Sequence, residues 1–220
     1  MIKLIIFDLD GVLVDTENIH YESLVEAVKF ITCLSENKFS HLLEIDGKTT
    51  KHKLGILKEE LGLTDLQVFL IDDKKQQNVI RHFYKSLNTN PNQIGMLEEL
   101  KSNYTLAIAS NSRKENVFHI LNILGITSFF SIILSNDDVT NHKPDPEIFL
   151  KIMEQTHIFP NETLILEDSP VGKYATIMSG AHLMPVDEIA NVTLENIHNA
   201  IKCFNINDSS SNGRNGDKIL

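Results

Sequence analysis

Asp8 and Asp10, one residue apart and followed at once by Gly11, are the residues in this chain whose spacing most directly suggests chemistry. They close an apolar run, residues 2–7, that reads as a short buried strand. Side chains alternate along a strand, so two acids at this spacing leave its end in the same direction. Adjacent negative charges are unfavourable unless a cation or a shared proton compensates. The glycine lets the backbone turn sharply away. A metal-assisted carboxylate nucleophile would use such a pair, and a plain Asp/Gly turn at a strand end would also produce it.

The elements around the pair decide between these readings. Further strand candidates are residues 105–109, 132–134, 164–166 and 181–184. Val117, Ile120, Leu121 and Leu124 follow helical spacing, as do Phe149, Ile152 and Met153. Alternating strands and helices predict an α/β fold with a parallel sheet and right-handed crossovers. The strands end in Asp8/Asp10, Ser110/Asn111, Ser135/Asn136 and Glu167/Asp168. Ligands of open parallel sheets bind outside those carboxyl ends, so the polar groups gather where a site is expected.

The interval between the first two strands is too long for one crossover. Three amphipathic helices fit there, carrying Leu24, Val28 and Ile31, then Leu54, Leu57 and Leu61, then Leu66, Phe69, Leu70, Ile80, Phe83, Tyr84 and Leu87. The expected division is a core of residues 1–14 and 92–206 and a helical cap with its hinges over 15–91. Residues 207–220 are low in complexity and read as a disordered tail.

A formal net charge of -10 speaks against general nucleic-acid binding, so an anionic substrate needs a local positive site or a bound metal. No apolar run approaches the length of a membrane span, and the N-terminus does not read as a secretory signal. Cys33 and Cys203 lack any disulfide or metal spacing and read as small apolar fillers. A cytoplasmic monomer is expected.

Four separated segments line up: Asp8-Leu9-Asp10-Gly11, Ser110-Asn111-Ser112, Lys143-Pro144-Asp145-Pro146-Glu147-Ile148-Phe149 and Glu167-Asp168-Ser169-Pro170-Val171-Gly172. In order and spacing they resemble the haloacid dehalogenase-like superfamily. The helical insertion is similar to the branch that includes beta-phosphoglucomutase and many small-molecule phosphatases. The resemblance spans residues 2 to about 186 and implies a Rossmann-like core with an inserted α-helical cap. It implies that Asp8 is the nucleophile that becomes an aspartyl-phosphate and that Asp10 is the general acid/base. Asp8, Asp10, Asp168 and Glu167 would hold Mg²⁺, a hard ion suited to oxygen ligands. Ser110, Asn111 and Lys143 would bind the phosphoryl group. Taken singly, Ser110 also reads as a helix cap and Lys143 as a solvated charge before a Pro-started helix. Haloacid dehalogenases commonly carry tyrosine where Asp10 stands, so the acid points to phosphoryl chemistry on a small phosphorylated metabolite.

In the cap, the resemblance makes His20 a proton-relay or hinge group, against a plain helix-surface histidine. It also makes Gly47, Lys48 and Thr49 part of a substrate-reading loop. Mutase-like members carry an arginine a few residues after that glycine; here the stretch is Lys48-Thr49-Thr50-Lys51-His52-Lys53. Lysine lacks the bidentate fork that grips a distal phosphate, so a phosphatase is favoured over a phosphohexose mutase. A catalytically silent binding relative is the third alternative, opposed by the intact acids and lysine. His142 departs from the glycine usual before the family's lysine.

Overall fold

The computed structural model describes residues 1–43 and 50–211. The chain divides into two units, one of residues 1–15 and 89–220 and the other of residues 16–88. In the first unit, strands β1 (Leu4–Phe7), β2 (Thr105–Ala109), β3 (Ile132–Leu134), β4 (Thr163–Glu167) and β5 (His182–Pro185) form one parallel sheet in the order β3-β2-β1-β4-β5. The strand that leads into Asp8 is thus central, flanked by β2, which leads into Ser110, and β4, which ends in Glu167.

Burial on both faces explains why the strands are continuously apolar rather than alternating. On one face Leu4, Ile6, Ala107, Ala109 and Ile165 pack with Ile148, Phe149, Ile152 and Met153 of helix α6 (Glu147–Thr156) and Ala175 of α7 (Pro170–Ser179). The alternate residues Ile5, Phe7, Leu106, Ile108, Leu164 and Leu166 are buried too. Helices α4 (Pro91–Lys101), α5 (Lys114–Leu124) and α8 (Leu194–Ser211) complete the unit. Asn90 caps α4 by accepting the Asn92 N–H at 3.0 Å, and Pro91 occupies the first turn, where its missing N–H costs nothing.

The stretch 207–220, expected as a disordered tail, is helical through Ser211. Once a helix has nucleated, each added residue gains a hydrogen bond, so a polar composition does not stop it. Residues 212–220 lie outside the described residues. Among the described residues, no helix is long and apolar enough to cross a membrane.

The second unit contains α1 (Glu17–Thr32), α2 (Thr50–Leu61) and α3 (Asp65–Ser86). Leu24, Val28, Phe39, Leu54, Leu57 and Ile71 lie in its core. Thr64 and Gln67 form a capping box that starts α3. The buried face of α3 is Ile71, Lys75, Asn78, Val79 and Phe83, whereas Leu66, Phe69, Leu70 and Tyr84 are exposed. The apolar periodicity misplaces this face because two of its members are polar. Asn78 donates to the Ser23 carbonyl at 3.2 Å and Lys75 to the Thr50 hydroxyl at 2.8 Å, which lets both be buried. The cysteines are not buried fillers: both are exposed, and Cys33 ends α1 in the left-handed conformation.

Candidate active site

The site is built at the carboxyl ends of β1, β2 and β4. Asp8 follows β1 directly, and its N–H still donates to the Leu166 carbonyl at 3.0 Å, so the nearly buried carboxylate is carried by the sheet itself. Lys143 arrives from the loop after β3. Its ammonium donates to Asp8 Oδ1 at 2.7 Å, to Glu167 Oε2 at 2.7 Å and to the Ala109 carbonyl at 2.9 Å. All three Lys N–H donors are therefore satisfied inside the protein, with the ring of Phe149 5.0 Å away. The alternative of a solvated lysine is excluded, since Lys143 is only 6% exposed.

Several contacts hold this lysine in place. Asn111 clamps its main chain, accepting from Lys143 N at 3.1 Å and donating to Lys143 O at 3.3 Å. The Lys143–Pro144 peptide is cis. Upstream, the Glu147 carboxylate accepts the N–H groups of Thr140 and Asn141 at 2.8 Å each, which holds its pKa below the usual range. His142 is exposed, and its carbonyl accepts the Asp145 N–H at 2.9 Å in a turn.

Glu167, 1% exposed, has both oxygens engaged. Oε2 accepts from Lys143, while Oε1 accepts the Ser169 hydroxyl at 2.8 Å and the Ser169 N–H at 3.2 Å. Ser169 in turn caps α7 by accepting the Gly172 N–H at 3.1 Å. Two glycines make room for the acids. A Cβ on Gly172 would fall 2.0 Å from Glu167 Cδ, and one on Gly11 would fall 2.0 Å from Asp168 Oδ2. Gly11 also has φ 81°, where a side chain would be strained.

Asp10 lies on the turn that follows. Its Oδ2 accepts the Ser112 hydroxyl at 2.7 Å and the Ser110 hydroxyl at 3.4 Å. Ser110 is fully buried and accepts the Ser112 N–H at 3.0 Å.

Two carboxylates, Asp8 and Glu167, flank the one ammonium, and Asp168 and Asp10 add their charge to the same acidic cluster. Burial first, then Glu167, pushes the Asp8 carboxyl well above the usual range against the pull of Lys143, and Asp10 adds to the rise. Burial and Glu167 likewise raise Asp168 to about 6. Burial opposes the charge on Lys143, yet Asp8 and Glu167 overrule it and hold its pKa above the ordinary value. Among the described residues, Asp8, Glu167 and Asp168 present carboxylate oxygens within 4.8 Å of one another. An all-oxygen donor set with excess negative charge fits a hard divalent cation.

The structure thus brings together Asp8, Asp10, Ser110, Asn111, Lys143, Glu167 and Asp168. His20 belongs to the helical unit, where its ring meets Phe83 edge-on at 6.0 Å. Gly47, Lys48 and Thr49 lie outside the described residues. Four participants were not assigned roles from the sequence: Ser112, Ser169, Gly172 and Glu147. Ser112 was signalled by its period-two spacing from Ser110, and Ser169 by its place before a helix-starting proline. Gly172 and Glu147 lie within the third and fourth motifs, but the space Gly172 leaves for Glu167 and the bonds Glu147 accepts from Thr140 and Asn141 exist only in the fold.

A family model for haloacid dehalogenase-like hydrolases matches residues 5–186. The chain is 31% identical over 182 residues to a phosphorylated carbohydrates phosphatase of Thermotoga maritima, covering 80% of this chain and 81% of that one. It is 30% identical over 172 residues to a pyrophosphatase of Oceanobacillus iheyensis, covering 76% and 75%. Its fold is similar to that of beta-phosphoglucomutase from Clostridium difficile, with a TM-score of 0.74 at 23% identity over 94% of this chain and 100% of that one. The motifs, the parallel sheet and the matched span agree: the chain belongs to the haloacid dehalogenase-like hydrolases.

Proposed function

We propose that this protein is a Mg²⁺-dependent phosphatase that hydrolyses a small phosphomonoester through an aspartyl-phosphate on Asp8. The observation that carries the reading is the buried Asp8 carboxylate, fixed at a strand end by Lys143 at 2.7 Å and crowded by further acids. Lys143 holds Oδ1, so attack on phosphorus falls to Oδ2. As that oxygen–phosphorus bond forms, the ester phosphorus–oxygen bond breaks and Asp10 passes its proton to the leaving oxygen. In the second half, Asp10 takes a proton from water, which attacks phosphorus and releases Asp8 and inorganic phosphate.

The Ser110 hydroxyl and the Asn111 backbone N–H bind phosphoryl oxygens, and the Lys143 charge offsets the charge that gathers on them. Asp8, Asp168 and the Asp10 carbonyl would hold Mg²⁺. When bound, the ion offsets repulsion between Asp8 and the phosphate dianion. Glu167, with both oxygens engaged, orients Lys143 from behind.

A sugar phosphate is the first substrate class to test, supported by the similarity to the phosphorylated carbohydrates phosphatase of Thermotoga maritima. The absence of arginine from residues 48–53 favours hydrolysis over mutase chemistry. The experiment is hydrolysis of an aryl phosphate and a panel of sugar phosphates across an EDTA and Mg²⁺ titration. Turnover should vanish with the metal and return on adding Mg²⁺. Full turnover in metal-free buffer would refute the reading.

A further inference from the structure

Asp10 stands on a turn, not within a strand. Gly11 N–H donates to the Val14 carbonyl at 2.8 Å, and Leu13 and Val14 both donate to the Leu9 carbonyl. A carboxyl on a turn needs an outside contact to fix its rotation, and the Ser112 hydroxyl meets its Oδ2 at 2.7 Å. That is the length of a strong bond to a carboxylate, whereas the Ser110 contact at 3.4 Å is long.

Ser112 is itself held twice by its main chain. Its N–H donates to the Ser110 hydroxyl at 3.0 Å, and its carbonyl accepts the Asn136 N–H at 3.2 Å. The hydroxyl is therefore anchored to the ends of β2 and β3. It does not serve as the cap of α5, because Arg113 occupies that position.

We propose that Ser112 is a positioning residue that aims the Asp10 carboxyl at the leaving oxygen, an inference that rests on the phosphatase reading above. The proton leaves Asp10 for the ester oxygen as that oxygen parts from phosphorus and Asp8 bonds to it. Misaimed, the carboxyl delivers the proton late, and the penalty depends on how much the leaving group needs it. Once Ser110 turns to a phosphoryl oxygen, the shorter Ser112 bond keeps Asp10 in place.

The test compares single-turnover phosphoryl transfer from an alkyl and an aryl phosphate in Mg²⁺-loaded wild type, Ser112→Ala and Ser112→Thr. The alanine variant should transfer from the alkyl ester more slowly by on the order of tenfold, the loss of one hydrogen bond to a charged group. Transfer from the aryl ester, which leaves without a proton, should stay within about twofold. The concentration that half-saturates the single-turnover rate should hold for both esters, and threonine should restore the alkyl rate. A merely structural role would slow both esters alike; that result, or threonine behaving as alanine, overturns the proposal. Thermal melts check folding, and if the alanine variant does not fold, Ser112→Cys, a weak donor of similar size, carries the same comparison. A wild type with no Mg²⁺-stimulated turnover of either ester would instead remove the phosphatase reading itself.

Discussion

Gly172→Ala sets helix propensity against packing, and the two predict opposite signs. Gly172 sits in the first turn of α7 without a positive φ, so propensity alone favours alanine by at most about 1 kcal/mol. The added Cβ, however, would stand 2.0 Å from Glu167 Cδ and 2.2 and 2.3 Å from its oxygens. Carbon atoms pack at about 3.5 Å or more, so the carboxylate must withdraw by about 1.5 Å. The 2.7 Å bond from Lys143 to Glu167 would then pass out of hydrogen-bond range. Breaking a buried pair in this way costs about 3–5 kcal/mol. Packing wins, leaving a net loss of about 2–4 kcal/mol, or a fall in Tm on the order of 10 °C for a domain this size. Lys143 loses one of its anchors, and a shift of about 1 Å at the site can cost about 10²-fold in rate. Gly55→Ala in α2 and Gly95→Ala in α4 are the controls, since a Cβ there meets nothing within 4 Å. They should be neutral or stabilising by up to about 1 kcal/mol. Urea unfolding and steady-state kinetics on an aryl phosphate read both effects. A Gly172→Ala protein as stable and as active as wild type would refute the reasoning.

The acidic cluster also predicts how pH acts. Asp168 and Asp8 have pKa values raised in the fold, so between about pH 4 and 6 the folded metal-free protein binds more protons than the unfolded chain. This contribution to stability is fully present below the unfolded value and is lost as pH rises through the folded one. Adding Mg²⁺ should therefore raise Tm more at pH 7.5 than at pH 5, and a shift independent of pH would contradict it. Mg²⁺ affinity by calorimetry should weaken below about pH 6, as Asp168 takes up the proton that the ion must displace.

Much of the catalytic unit was legible because a parallel sheet buried on both faces writes its strands as short apolar runs. Each run then stops at a polar residue where the site begins, as at Asp8, Ser110 and Glu167. The acids and lysine could be read from type and spacing. Their second contacts could not: that Asn111 spends its amide on the main chain of Lys143, or that Glu167 spends both oxygens on Lys143 and Ser169, depends on loops meeting in space. The face of α3 was hidden by Lys75 and Asn78, polar residues buried through partners far away in sequence. The helical start of the 207–220 stretch was hidden because composition reports solvation, whereas α8 is carried forward by the turns before it.

Phosphorylation of Asp8 is the central step, and the direct measurement is rapid quench with intact-protein and peptide mass spectrometry during turnover of an aryl phosphate. Asp10→Asn keeps the nucleophile and loses the base that activates water, so one phosphoryl group should accumulate on the peptide containing Asp8. Asp8→Asn should show neither adduct nor hydrolysis. Hydrolysis by Asp8→Asn, or an adduct located on any other residue, would contradict the account.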